Sequence, residues 1–346
     1  MNDTTKIKTD TILKTVTNEA SLKSGANLIE SNGWLIPNDY GNVLDEYVAF
    51  KEGLLIVDFS DHGVISIEGK DSLDFLHRMS TNDVISTNAN EKTLNVLTNA
   101  DGRIIDATWM ITGPEKQSAM LVGSAGSGLA VAQWLEQYHF SEELDIRDES
   151  GKYGVFAVYG KNADNIAAAE NCDVIDSVEY FALVLVKENA SEYWENLLEQ
   201  GAVPVGREAW NIRRIELGIP RYGFELTESA NPLEAGLFDS ISLSKGCYIG
   251  QEVIARMDTY DKVSRQLRRL HFSGEVDDSS KPVLSSDGKK VGIVTSSVYS
   301  IELGKHIGLG YIKNKYAELG NELLISESKE TAIVGESFSE FAVDES

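Results

Sequence analysis

The stretch Lys245-Gly246-Cys247-Tyr248-Ile249-Gly250-Gln251-Glu252 crowds an amine, a thiol, an amide and a carboxylate around two glycines. In an extended segment residues two apart share a side, so the Lys245 ammonium is expected beside the Cys247 thiol, favouring the nucleophilic thiolate. Gly246 and Gly250 let the backbone turn sharply or admit a ligand closely. The plain alternative is a cysteine acting as a small buried hydrophobe with a solvated lysine nearby.

Two carboxylates stand where charge is costly. Asp106 falls between Ile105 and Ala107 in an apolar strand pattern, where a charge needs a partner, a polar cavity or an outward-facing position. Glu216 falls in the last turn of a candidate helix, where the macrodipole disfavours an anion by about 0.3–1 kcal/mol and favours Arg213 and Arg214. Arg213 is its one preceding cation at helical spacing, since Ile212 stands four residues back. The bland reading is that surface pair; the sharper one is a carboxylate aimed at a donor-rich ring.

Charge limits the partners. With 31 Lys+Arg against 55 Asp+Glu, the formal charge of −24 repels nucleic acid and anionic lipid, so neither direct DNA binding nor membrane binding is expected. Residues 245 to 271 run against that trend. Lys245, Arg256, Lys262, Arg265, Arg268 and Arg269 outnumber Glu252, Asp258 and Asp261, which suggests an anionic ligand or an acidic partner surface. Two cysteines, Cys172 and Cys247, are too few for a disulfide framework, and five scattered histidines offer little for a metal site or a Ser-His-Asp triad. Met1–Lys6 lacks an apolar stretch like that of a signal peptide, and a cytoplasmic protein is expected.

The elements that must position these residues alternate along the chain. Residues 53–58 and 63–69 read as two strands about a turn at Ser60-Asp61-His62. Asp71 is a plausible N-cap for a helix over 72–79 with Leu73, Leu76 and Met79 facing inward. Thr93–Thr98 and Ile104–Trp109 read as a hairpin turning at Asp101-Gly102, which puts Asp106 on a strand. Ala119–Gly123 leads into a helix whose buried face is expected to carry Leu129, Ala132, Leu135 and Tyr138. Gly123-Ser-Ala-Gly-Ser-Gly128 between them has its glycines at offsets 0, 3 and 5 rather than 0, 2 and 5, so it reads as a flexible helix start and not a dinucleotide site. A helix over 206–217 ends at Gly218 and Pro220. From about residue 264 short strands separated by Gly, Asp-Gly and Ser suggest a β-barrel or sandwich. The class is α+β.

In order along the chain, several segments resemble the YgfZ/GcvT folate-binding superfamily: Val57–Ser60 with Gly63, Phe75–Asp83, Asn99–Asp106, Ile215–Gly223, Pro232–Gly236 and Gly292–Ser296. Lys245–Glu252 resembles the signature of its YgfZ branch. The resemblance implies a three-domain ring like that of the glycine-cleavage T-proteins, with mixed α/β N-terminal domains and a small C-terminal β-barrel. The domains expected are a polar leader over 1–25, a folate-binding α+β domain over 26–150 completed by 206–262, a ferredoxin-like domain over 151–205, and the barrel over 263–346. It also implies tetrahydrofolate or a derivative as cofactor, with Asp106, Glu216, Arg221, Tyr222 and Gln251 binding it. Cys247, Lys245 and Asp106 would carry the chemistry, and iron-sulfur client proteins, including tRNA-modifying enzymes, would be partners. Arg103 replaces the second glycine and Ala107 the second aspartate of the family's GGxxDD stretch, which counts against aminomethyl transfer, the competing activity.

Overall fold

The computed structural model describes residues 12–168, 172–178, 181–259, 263–277 and 280–337. These fall into two compact units. Residues up to 62 group with 149–209, and residues 63–148 group with those from 210 onward. The domains expected from the sequence instead joined 26–62 to 63–150.

In the first unit a five-stranded sheet runs in the order Cys172–Val178, Phe181–Val186, Gly154–Tyr159, Leu55–Asp58, Val203–Val205, the last strand parallel to its neighbour. Helix Ala190–Glu199 packs Trp194 and Leu197 against Phe156, Val158 and Val184 of this sheet. Residues 12–25, read from the sequence as part of a leader, form a short strand, Leu13–Lys14, and a helix, Asn18–Lys23, in which Asn18, Ala20 and Ser21 are buried.

The second unit holds another five-stranded sheet, in the order Lys92–Thr98, Ile104–Thr112, Ser118–Ala125, His62–Glu68, Asp145–Asp148. The strands expected over 53–58 and 63–69 both form, as Leu55–Asp58 and His62–Glu68, but they belong to different sheets, and the chain passes from one to the other at the Ser60-Asp61-His62 corner. Helices Ser72–Met79 and Gly128–Glu136 contribute to one core with Ile65, Leu97 and Leu121. Ala132, Leu135 and the partly buried Tyr138 face the core as expected, but Leu129 is half-exposed and Val131 takes its place in the inward stripe. Asp71 sits at the N-cap position of the first, but its Oδ2 accepts the Glu143 N–H at 2.8 Å and caps nothing in the helix.

The C-terminal strands, from Arg265–Phe272 to Thr331–Ser337, close into a six-stranded barrel. Leu270, Phe272, Val283, Val294, Ile312 and Val334 fill it, whereas Leu267, Leu309 and Tyr311 pack outward against Ile215 of helix Arg207–Leu217 and Ile104. That alternation of inward and outward residues is what closure of a small barrel demands. Among the described residues no helix is long and apolar enough to cross a membrane.

Candidate functional site

Asp106 is wholly buried. Leu97 pairs with Asp106 and Thr98 with Ile104, so Ile105 is the extra residue of a β-bulge. Directly opposed residues share a face, which places Asp106 on the helix-covered side with Leu97, next to Ile105, while Ile104 and Ala107 pack on the other side. There its Oδ1 accepts the Ala107 N–H at 2.9 Å and the Ser124 hydroxyl at 2.6 Å, and its Oδ2 accepts the Ser124 N–H at 3.0 Å. Gly123 makes this fit possible, because a Cβ there would lie 2.5 Å from Oδ2. Thr108, two residues along and also fully buried, has a hydroxyl with no hydrogen-bond partner. No cation among the described residues pairs with Asp106, and burial pushes its carboxyl above the ordinary range against the opposing pull of the Ser124 and Ser127 hydroxyls.

Glu216 is also buried, in the last turn of helix Arg207–Leu217 as expected. Its Oε1 accepts the hydroxyl of Ser300 from the barrel at 2.6 Å, and Arg213 approaches Oε2 at 3.5 Å while also reaching Glu302. Arg269 donates to the Glu216 carbonyl. Beyond the helix, the half-buried Tyr222 phenol holds its proton more tightly than usual, first through burial and then through the charge of Asp106. The Arg221 guanidinium lies 3.7 Å over the Phe224 ring, and the Gln251 amide donates to the Gly246 carbonyl at 3.4 Å.

The Cys247 loop is built differently from its expected form. Lys245 is buried, and its three N–H bonds go to the carbonyls of His77, Ser80 and Asn82 at 2.7, 2.7 and 2.6 Å. Donation to the Cys247 sulfur requires breaking one of these, so Lys245 is a clamp for the loop and not the activator of the thiol. Burial lowers its ammonium to about 8. Cys247 itself is exposed. Gly250, at φ +81°, approaches the 98–103 turn so closely that a Cβ would lie 2.6 Å from the Asn99 carbonyl oxygen; the space it leaves is filled by the hairpin and not by a ligand. Ile249 completes the docking, its N–H donating to the Arg78 carbonyl and its carbonyl accepting from Thr98.

The positive stretch does not form one patch. Arg256 pairs with Glu252, Arg265 with Glu234, and Arg269 with Glu336. Asp261 and Lys262 lie outside the described residues.

Several residues of these sites escaped the sequence reading. Ser124 and Ser127 are in the Gly-Ser run at the end of strand Ser118–Ala125, whose small residues close over Asp106. Arg103, the departure at the family's second glycine, reaches the Ser229 carbonyl and Glu234 at 3.2 and 3.4 Å. Arg214 and Glu225 form a buried pair at 3.2 Å, closed by Ser296, and nothing in their spacing signals it. Among the described residues no group of three or more His, Cys, Asp or Glu could hold a metal ion.

Two family models match, the GCVT N-terminal domain over residues 17–182 and the glycine cleavage T-protein C-terminal barrel domain over 265–334. A chloroplastic protein of Arabidopsis thaliana, named only as a transferase, is 33% identical over 307 residues, covering 81% of this chain and 70% of that one. Aminomethyltransferases of Desulfitobacterium hafniense and Staphylococcus carnosus are 28% and 27% identical, covering 88% and 91% of this chain and 91% and 94% of theirs. The crystal structure of the aminomethyltransferase T of the Bartonella henselae glycine cleavage system superposes with a TM-score of 0.83 at 20% identity, over 96% of this chain and 98% of that one, a likeness of fold.

Proposed function

The chain belongs to the glycine-cleavage T-protein family, and on that premise we propose that it binds tetrahydrofolate or a derivative and supports iron-sulfur enzymes through Cys247. Asp106 carries the reading: it is a fully buried carboxylate that no cation among the described residues neutralises, beside a buried hydroxyl, that of Thr108, without a partner there. A pterin presents an amino group and ring N–H donors, and a carboxylate and a hydroxyl in a dry setting suit them through charge-assisted hydrogen bonds. Glu216 would hold the pterin from the helix end, with Arg221, Tyr222 and Gln251 around the ligand. Because Asp106 is completely covered, contact with a ligand requires a segment over it to shift, the Gly-Ser stretch that bonds it among the candidates, as lids over closed sites do. Bound tetrahydrofolate supplies a nitrogen that accepts one-carbon units.

Cys247 is the exposed nucleophile, on a loop fixed by the Lys245 clamp. A single thiol cannot hold a cluster, which generally needs four ligands, so a client supplies the remainder. We place this work in the cytoplasm, with folate and iron-sulfur client proteins, tRNA-modifying ones among them, as partners. The second reading is aminomethyl transfer to tetrahydrofolate, favoured by the names of the bacterial relatives and by the retained Asp106. Against it, Ala107 occupies the second aspartate position and packs toward Val96 and Ile215, an apolar setting that suits no carboxylate.

Titration of tetrahydrofolate into the protein, followed by tryptophan fluorescence, tests the proposal. Glu216→Ala is expected to weaken binding about 10- to 100-fold, the equivalent of one charge-assisted hydrogen bond. Cys247→Ala is expected to leave the affinity intact while the client enzyme loses activity. Equal folate affinity in wild type and Glu216→Ala removes the pterin site, and turnover of a lipoyl-linked aminomethyl donor by the purified protein favours the second reading.

A further inference from the structure

In the first unit, helices Ala163–Ala167 and Ala190–Glu199 share a core with Phe156, Val158 and Val184, and residues of both line a cleft of about 680 Å³. Sites for small organic ligands span roughly 300–1,000 Å³. Helical spacing builds the walls. Ala163 and Ala167, one turn apart, are fully buried, and Asn162, Asn165 and Ile166 beside them reach the cleft; on the longer helix Tyr193, Asn196, Leu197 and Gln200 recur at the three- and four-residue intervals of one face. Each helix thereby offers an asparagine followed by an aliphatic residue, Asn165-Ile166 on one and Asn196-Leu197 on the other. The Tyr193 hydroxyl ties the two helices by donating to the Ala167 carbonyl at 2.9 Å, and its ring stacks on Phe156 with centroids 5.3 Å apart. The cleft is therefore formed before any ligand arrives.

A quarter of the chain is charged, yet no residue lining this cleft is. Its polar groups are mostly carboxamides, each carrying one acceptor oxygen and an NH2 donor. The side chains of Asn162 and Asn196 make no hydrogen bond to another described residue, although Asn162, at φ +59°, stands at the N-cap position of its helix. Gln200 directs its NH2 to the Asn196 carbonyl at 3.3 Å and Asn165 its own to Asp164 at 3.2 Å, which leaves both side-chain oxygens to accept. We propose that the cleft binds a neutral flat ring with an amide-type edge, an NH2 beside an acceptor, as in adenine or nicotinamide. Asn196 takes that edge in a bidentate pair, its Oδ1 accepting from the ligand's NH2 and its Nδ2 donating to the neighbouring acceptor, the pairing by which carboxamides recognise adenine. Ile166 and Leu197 supply apolar contact for the ring faces. An anion is disfavoured, because the cleft holds no cation to meet it and Glu192, Glu195 and Glu199 of the same helix are exposed nearby. A sugar is poorly served, because Tyr193 is buried and stacked and offers no open aromatic face. The site is independent of the tetrahydrofolate reading, whose Asp106 and Glu216 belong to the second unit.

Isothermal titration of the full-length protein with adenosine, nicotinamide, AMP and glucose, each to millimolar concentration, tests this. Adenosine, nicotinamide or both are expected to bind, and AMP less tightly than adenosine. Asn196→Ala, at an exposed position where alanine favours the helix, is expected to weaken binding about tenfold or more, the loss of one bidentate pair. Asn196→Asp keeps the shape but puts a second acceptor where the NH2 stood, and it should weaken binding as much; a ligand held by apolar contact alone would not tell Asn from Asp. Absence of binding by both rings, tighter binding of glucose or AMP, or an affinity unchanged in either variant overturns the proposal.

Discussion

Asp106 and Glu225 are both carboxylates with no exposed surface in the same unit, and they are satisfied in opposite ways. Glu225 accepts from Arg214 and the Arg221 N–H on one oxygen and from Ser296 on the other, and Arg214 also donates to Ser296, Asn211 and the Ile219 carbonyl. Every direction is filled and the charge is cancelled. Asp106 accepts only from neutral hydroxyls and backbone amides, and burial leaves it inclined to keep its proton. A buried pair of the first kind ties a helix, a loop and the barrel together; a lone buried acid of the second kind costs stability that a purely structural role does not repay, which points to binding. The comparison implies that breaking the first site damages the fold, and altering the second mainly damages a function.

The largest effect is expected at the paired site. Arg214→Met leaves Glu225 buried without its cation, and the loss of stability should be about 3–5 kcal/mol, measured by urea unfolding. Arg213→Met, which removes a guanidinium shared between Glu216 and the half-exposed Glu302, serves as its neighbouring control and should cost less than about 1 kcal/mol. If the two variants unfold alike, the buried pair does not hold helix, loop and barrel together and the contrast with Asp106 fails.

The Lys245 clamp is intermediate, a buried cation satisfied by carbonyls without a carboxylate. Lys245→Met leaves those carbonyls without a donor and is expected to cost on the order of 2 kcal/mol. Its pH dependence has a definite sign. The folded chain releases the proton at about 8, the unfolded chain nearer the ordinary 10.5, so between these values the unfolded state holds more protons and wild-type stability rises with pH. The deficit of the variant should therefore widen from pH 8 to 10.5 and stay level below 8. A level deficit throughout places the ammonium in contact with water.

How far these sites were legible follows from the range of the interactions. The apolar neighbours of Asp106 and the helix-end position of Glu216 are local facts, and local reasoning found both residues. The bulge at Ile105 that decides which way Asp106 faces depends on pairing with Leu97 and Thr98, and no feature of the strand's own pattern announces it. Lys245 was assigned to Cys247 because they stand two positions apart in an extended chain, yet its partners are carbonyls about 165 residues earlier. Arg214 stood out only as a cation in the last turn of its helix and Glu225 not at all, since a salt bridge closed across a loop leaves no periodic trace. The hairpin over 92–112 and the barrel, built from neighbouring strands and repeated turns, were legible, whereas over 53–69 the two strands were legible and their parting was not. Two strands about a tight corner look the same whether they pair or part into different sheets.

The smallest change in stability, and the sharpest test of the comparison, is expected from Asp106→Asn. The amide keeps the shape, but whichever way it turns its NH2 meets either the Ser124 or the Ala107 backbone N–H, so one donor loses its acceptor at a cost of about 1 kcal/mol or somewhat more. Against that, the variant no longer has to ionise in a dry site. The folded-state carboxyl of wild type lies above its unfolded value of 3.8, so as pH rises through that window the folded chain holds the proton longer and wild-type stability falls. Relative to wild type the variant should therefore gain with rising pH, level off once Asp106 is ionised, and differ least near neutrality, while tetrahydrofolate binding is lost because an NH2 now faces the ligand's donors. The measurement is the difference in urea unfolding free energy between the two proteins across pH 3 to 8, with folate titration at pH 7. A difference that does not vary with pH means that Asp106 ionises like a solvated carboxylate, and the distinction drawn between it and Glu225 is lost with it.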